Sequence, residues 1–468
     1  MEHVLCVVRH TAIVCAAVAC GFTATAGLEP FAVDFSQAVG KIRPLNGLCN
    51  ATPLYNSRTR SINDKVLKLE IPYYRFHDAS LENPGIELVD VCRIFPLFHA
   101  DADDPRNYDF RATDDYLRQV VDAGAEIEFR LGESIEHSKN QYFVHPPKDY
   151  GKWAEICVHI IRHYNEGWAD GFRWNIRRWS IWEEPDTNPM LLTGAPNPMV
   201  DIYQPLYKAA VTRIKQEFPR LLVGAPHSYY GDAVPFVEFC AKEKLPIDFL
   251  GITSYVRKPE QLAAQVRAVR KLLDDNGFAK TPISVGEWHL APIGWGGHGT
   301  VNAPRYAKAW ADEMSGTLST AFTASVLMHM QDEPVDFMHY YSIKGGSWGL
   351  FDRSNHPYGT YWAMYAFAQL ARGDVRVAAQ LRPRDNWWVL ASKETKTGVG
   401  RVLVATMRTD DSVIPITLKG GVRPVSVKVI DLVQDFEESA DWKWDEKSGK
   451  LTLCRNLGDS TVWLIEVK

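Results

Sequence analysis

Two glutamates close apolar runs of the chain in a way that suits acid–base chemistry on one substrate. Glu184 follows Trp179-Ser180-Ile181-Trp182-Glu183 and precedes Pro185-Asp186, and Glu287 lies in Ile283-Ser284-Val285-Gly286-Glu287-Trp288-His289. An acetal C–O bond breaks through an oxocarbenium-like transition state when a carboxylic acid protonates the leaving oxygen and a carboxylate meets the carbon. Retention of configuration asks for the two carboxyl groups to be about 5–5.5 Å apart. One of the pair must start protonated, and an ionised neighbour raises the pKa of the other. A single strand-end glutamate is as well explained by a salt bridge to a loop arginine; two in matching contexts are harder to explain that way.

Groups that far apart in sequence need a scaffold to bring them together. From about residue 42 the chain alternates short apolar runs with longer amphipathic stretches, the pattern of a parallel sheet with covering helices. Strands are expected at Ile42–Asn50, Tyr73–His77, Glu126–Leu131, Trp179–Glu184, Leu221–Ala225, Phe249–Tyr255, Ile283–Trp288 and Phe337–Ser342. Helices are expected between them, among others at Ala112–Asp122, Tyr150–Tyr164, Pro205–Phe218, Pro259–Asp275 and Ala303–Met330. Eight such units predict an α/β fold, a (β/α)8 TIM barrel, whose chemistry sits at the C-terminal strand ends. Glu184 and Glu287 fall there, on strands 4 and 7, across the barrel from one another. After a boundary near Gly373 the pattern changes. Trp387–Ala391, Val399–Ala405, Val413–Thr417, Val425–Asp431 and Thr461–Val467 read as strands of a C-terminal antiparallel β-sandwich domain. The expected division is a signal peptide at 1–26, a barrel over 27–372 and a sandwich over 373–468. Leu28–Asp34 is expected as an edge strand of the sandwich.

Trp179-x-x-Trp182-Glu183-Glu184-Pro185 resembles the Trp-Asn-Glu-Pro strand-4 signature of clan A glycoside hydrolases, and Gly286-Glu287-Trp288 resembles their strand-7 nucleophile segment. Within the clan the chain is most similar to family 39, the β-xylosidase and α-L-iduronidase family. Tyr74-Arg75-Phe76-His77, Ala123–Phe129, Asp248–Tyr255 and Trp348-Gly349-Leu350-Phe351 add to that likeness. The resemblance implies that Glu184 is the acid/base and Glu287 the nucleophile of a retaining, exo-acting enzyme on plant or host polysaccharide or oligosaccharide. It also implies substrate contacts from His77, Glu183 and Tyr255. His227, Trp288 and His289 stand at strand ends and divide between substrate contact and packing; Trp348 divides between sugar platform and core. One position departs from the family pattern, with Glu183 where an asparagine is usual. An ionised carboxylate only accepts hydrogen bonds, whereas an amide does both. Glu183 therefore accepts from a sugar hydroxyl, or tunes Glu184, or marks a degenerate site, and its charge calls for a cation such as Arg75, a residue also expected among the substrate contacts. The alternatives are another clan A specificity, β-galactosidase-like or endo-acting, and a barrel that binds glycan without cleaving it.

Composition removes other classes. A formal net charge of −5 leaves no basic footprint for nucleic acid. The chain has 15 Trp, 19 Tyr and 20 Phe, which suits sugar stacking but serves cores more often. Arg9-His10, the apolar Thr11–Ala24 and Ala24-Thr25-Ala26 read as a cleaved leader of a secreted or periplasmic protein, with lipid anchoring at Cys20 a lesser alternative. No later run reaches the roughly 18 apolar residues of a membrane span. Beyond the leader, Cys49, Cys92, Cys157, Cys240 and Cys454 are widely spaced and fit buried thiols better than a disulfide framework or zinc site. His289, His298 and the run Asp101-Ala102-Asp103-Asp104 lack metal-ligand spacing, so no metal and no cofactor is expected. Gly294–Gly299 reads as a loop above strand 7 and lacks the context of a phosphate-binding turn. No Gly-x-Ser-x-Gly motif supports esterase chemistry.

Overall fold

The computed structural model describes residues 31–51, 62–76, 88–134, 145–185, 195–224, 229–293, 304–343, 346–380, 386–455 and 458–468. The expected leader, His77, His227 and Gly294–Gly299 lie outside them. After β1 (Phe31–Gly40), eight parallel strands form one sheet: β2 (Gly47–Cys49), β3 (Tyr73–Phe76), β4 (Glu126–Leu131), β5 (Arg178–Ile181), β6 (Leu222–Gly224), β7 (Leu250–Val256), β8 (Ile283–Leu290) and β9 (Phe337–Tyr340). Their order is β6-β5-β4-β3-β2-β9-β8-β7, and a parallel bridge between Gly224 and Phe249 joins the ends, so the sheet closes. All eight expected strands are present, and the helices expected before residue 300 lie within a residue or so of their places.

The barrel strands are polar on the inside and apolar on the outside. Tyr74, Phe76, Ile127, Phe129, Leu131, Trp179 and Ile181 belong to the large core between sheet and helices. Alternation turns Arg75, Glu128, Arg130, Arg178 and Ser180, all buried, to the interior. At the lower end Arg178 stacks over Phe337 at 4.2 Å and donates to Glu126 at 2.8 Å. Arg75 and Glu128 are register partners on β3 and β4, and Glu128 is in turn the register partner of Arg178 on β5.

The expected Ala303–Met330 helix is two helices, Pro304–Ser315 and Thr317–His329. Gly316 separates them in an extended conformation, where a Cβ would stand 2.6 Å from the Asp312 carbonyl oxygen. Every residue from Leu318 to Met328 is buried, because this helix has the barrel on one side and the second sheet on the other.

The second sheet has ten strands: β1 together with β10 (Val375–Gln380), β11 (Trp387–Lys393), β12 (Gly400–Thr406), β13 (Val413–Lys419), β14 (Pro424–Ile430), β15 (Asp435–Glu438), β16 (Trp442–Asp445), β17 (Lys450–Cys454) and β18 (Thr461–Val467). It is continuous and mostly antiparallel, and it wraps a single core of Phe31, Val33, Trp387, Val404, Ile416, Leu453, Trp463 and their neighbours. β1 is an interior strand, antiparallel to β10 and parallel to β13, rather than the expected edge strand. The outward residues Trp388, Leu390, Leu403, Ala405, Val462 and Leu464 join the barrel's own core. Cys49, Cys157, Cys240 and Cys454 are buried, Cys92 is half-buried, and all five are free thiols. No described helix is long and apolar enough to cross a membrane.

Candidate active site

Two breaks in strand alternation assemble the carboxylates. On β8, Ile283, Val285, Trp288 and Leu290 all lie in the outer core. Strict alternation from Val285 would send Glu287 outward as well. The pairing with β7 slips between Val285 and Glu287, and that bulge at Gly286 turns Glu287 to the barrel interior. The same slip explains why Trp288, expected as a substrate contact, is not one. It is fully buried, with its ring packed against Tyr340 and Phe322 on the outer side of the sheet.

The second break follows β5. Trp182 takes a left-handed conformation (φ +68°) and remains in the outer core beside Trp153, so Ile181 and Trp182 point outward in succession. Glu183 and Glu184 then both fall on the interior side, Glu184 with φ +32°. Gly132, after β4, makes room for this turn: a Cβ there would lie 2.8 Å from the Trp182 Cα.

One oxygen from each of Glu183, Glu184 and Glu287 lies within 4.8 Å of the other two. Glu184 is 7 % exposed, Glu287 4 % and Glu183 not at all, so the first two border solvent while Glu183 lies beneath them. Arg75, fully buried, joins the group. Its Nη2 donates to Glu183 Oε1 and Oε2 at 2.7 and 2.5 Å, and its Nη1 to Glu287 Oε1 at 3.0 Å and the Gly286 carbonyl at 3.3 Å. The cation expected for Glu183 is thus Arg75. Neither residue presents an exposed surface to a ligand, contrary to the substrate contacts expected of them. Burial opposes the charge on Arg75, but Glu183, Glu287, Cys49 and Glu128 outweigh it and hold its pKa well above the usual value.

Tyr255, half-buried at the end of β7, donates to Glu287 Oε2 at 2.5 Å. Burial first, then the charges of Glu287 and Glu184, push its hydroxyl well above its ordinary pKa, so it remains a donor. Trp348 meets Tyr255 edge to face at 5.3 Å and Tyr341 at 5.8 Å, and it is half-buried, so it forms a wall beside Tyr255. His289 is buried. It pairs with Leu290 O through Nδ1 (3.1 Å) and with the Tyr340 hydroxyl through Nε2 (2.7 Å), and burial lowers its pKa to about 4. It is a neutral packing residue.

Sequence reasoning missed a further buried group under the same face. Arg130 donates to Asp90 Oδ1 at 2.5 Å, and Asp90 also accepts from Ser134. Burial and Asp90 drive the pKa of Glu133 well above the usual carboxylate range. The signal was available as a run of charged residues, Glu128-Phe129-Arg130, on a strand whose alternate positions must face inward. Asp90, Cys92 and Glu133 also bring ligand-type atoms within 4.8 Å of one another, as do Asp103, Glu155 and His159. Between Glu183 and Glu287 the Arg75 guanidinium already stands where a cation would compensate the carboxylates.

The family model for glycosyl hydrolases family 39 matches residues 38–399. Among curated proteins the chain is similar to a beta-xylosidase of Geobacillus stearothermophilus, 26% identical over 290 residues that make 56% of this chain and 55% of the relative. A beta-xylosidase of Caldicellulosiruptor saccharolyticus is 25% identical over 48% of this chain and 45% of the relative. The matches thus span about half the length of these relatives. Among solved structures, a glucosidase from Croceicoccus marinus superposes with a TM-score of 0.74 at 21% identity, covering 94% of this chain and 99% of that one. A GH39 beta-xylosidase from Caulobacter crescentus gives 0.65 at 16% identity, covering 94% and 100%. At these identities the structural likeness speaks to the fold, a barrel with an attached β domain. The match over 38–399, on a closed barrel carrying one glutamate just after its fourth strand and one within its seventh, establishes that the chain belongs to glycosyl hydrolase family 39.

Proposed function

We propose that the protein is a retaining O-glycosidase in which Glu184 is the acid/base and Glu287 the nucleophile. The observation that carries this reading is the approach of their carboxylate oxygens to within 4.8 Å at the mouth of the barrel. That spacing is nearer to the roughly 5–5.5 Å between carboxyl groups of double-displacement enzymes than to the roughly 6.5–9.5 Å of inverting ones. In this scheme Glu287 starts ionised, with Arg75 donating to one oxygen and Tyr255 to the other. Glu184 gives its proton to the leaving oxygen while Glu287 attacks the anomeric carbon. The resulting ester carries no charge, so Glu184 is then the ionised partner and takes a proton from water as that water attacks.

The similarity to two beta-xylosidases makes a terminal β-linked xylose the first substrate to test. Release of that residue from a plant or host oligosaccharide, after export and removal of residues 1–26, belongs to the same proposal. Proton donation matters most when the leaving group is poor. The Glu184→Gln variant should therefore lose at least about a hundredfold on xylo-oligosaccharides and far less on aryl glycosides with activated leaving groups. Equal losses on both would refute the acid role. A 2-deoxy-2-fluoro glycosyl fluoride should label Glu287, read by peptide mass spectrometry, and the first-formed product should keep the substrate's anomeric configuration by NMR. No turnover across a panel of aryl glycosides, with glycan binding retained, would leave only a binding barrel.

A further inference from the structure

We infer that Glu183 is a positioning residue: it shares the Arg75 guanidinium with the nucleophile and so sets the pH range in which Glu287 and Glu184 hold their working charge states. The inference rests on the glycosidase reading above. Glu183 is fully buried, and both its oxygens are within 2.7 Å of Arg75 Nη2. The other arm of the same guanidinium holds Glu287, and its Nε is 3.8 Å from Glu128. One positive charge is thus divided between two hydrogen-bonded carboxylates, with a third nearby.

A neutral side chain at position 183 would leave the Arg75 charge largely to Glu287. It would also remove a negative charge whose oxygen lies within 4.8 Å of oxygens of both Glu287 and Glu184. At an effective dielectric of about 20, the loss of such a neighbour lowers a carboxyl pKa by roughly two units. The acid limb of the rate profile, where Glu287 must ionise, and the basic limb, where Glu184 must keep its proton, should both move down.

The remaining groups around the cluster are unchanged by that substitution. They are Cys49 on β2, whose thiol donates to Gly286 O at 3.1 Å, Glu128 and Arg130 on β4, and Tyr255 on β7. From β9 and just beyond it come His339, 3.9 Å from Glu128, and Tyr341.

The test is the pH dependence of kcat/KM for the full chain and for Glu183→Gln, Glu183→Asn and Glu183→Asp, on one aryl glycoside, with active sites counted by the fluoro-sugar label. Both neutral variants should shift the whole bell to lower pH by about one to two units, while Glu183→Asp stays within about half a unit of the parent. A uniform loss of rate with both limbs in place would overturn the inference, as would a rise in KM alone, the mark of a direct substrate contact. Failure of both neutral variants to fold while the aspartate variant folds would assign Glu183 a purely structural part and overturn it too. A parent protein that neither hydrolyses the substrate nor takes the label would instead sink the glycosidase reading. A labelled parent with immobile limbs in the variants sinks only this one.

Discussion

Replacing Tyr255 by phenylalanine removes one hydroxyl from a crowded site and leaves the ring's packing in place. The ring sits edge to face with Trp348 at 5.3 Å and with Tyr341 at 6.3 Å, contacts that phenylalanine keeps. What disappears is the 2.5 Å hydrogen bond to Glu287 Oε2. A hydrogen bond to a charged group contributes roughly 1.5–3 kcal/mol. Losing it from the ionised form alone corresponds to about one to two pH units in the nucleophile's pKa. The sign follows from which form the hydroxyl favours. It donates to the carboxylate, so its removal makes ionisation harder, and the acid limb of kcat/KM should move up. Above that limb, the departure of Glu287 from the glycosyl ester loses the same donor, and kcat should fall about ten- to a hundredfold. The profile is read on an aryl glycoside, with circular dichroism to confirm the fold. An unmoved acid limb, or one that moves down, refutes the argument. The opposite direction expected for Glu183→Gln makes the two variants a matched pair.

Two further predictions concern stability. The buried His289 has a pKa of about 4 in the folded state against an ordinary 6.5. The unfolded chain therefore takes up a proton that the native state refuses, and stability is lost as pH falls from about 6.5 to about 4, by about 3 kcal/mol in total. Urea unfolding at pH 7 and pH 4 should show that His289→Gln, which has nothing to protonate there, is less acid-sensitive than the parent by this amount; identical sensitivity would refute it. Gly132→Ala would place a Cβ 2.8 Å from the Trp182 Cα at a position with φ +148°. Overpacking of this kind costs about 1–3 kcal/mol, and the turn that carries Glu183 and Glu184 is what must yield. Activity should fall more than tenfold even where the variant remains folded; unchanged kcat with a lowered melting temperature would separate the two effects and argue against the coupling.

The barrel was legible because its strands are short apolar runs closed by turn residues, with Glu184 just after one of them and Glu287 in the last half of another. Trp288 was not, since period-two reasoning has no place for the slip at Gly286, although a glycine inside a strand is the usual mark of a bulge. The joined helix over 303–330 misled for a different reason. Thr317–His329 is apolar on every side because two domains cover it, so its pattern showed no face and no end. The β domain showed only its strongly apolar strands. Asp435–Glu438, Trp442–Asp445 and Lys450–Cys454 are half polar and lie at or near the ends of the sheet, where one side of the strand needs no apolar partner.

Regular strands alone do not yield a site of this kind. A strand that alternates strictly offers every second residue to the barrel interior, so adjacent residues cannot both serve there. Here Glu183 and Glu184 both reach it, one to pair with Arg75 and the other to stand near Glu287. The left-handed residue at Trp182 and the bulge at Gly286 each shift the alternation by one. Both shifts are held by the outer core, where Trp182 and Trp288, fully buried, fix the turn on one strand and the slip on the other. Large side chains buried in the outer core therefore determine where Glu184 and Glu287 point. Trp288, which the sequence divided between substrate contact and packing, acts on the site through the backbone.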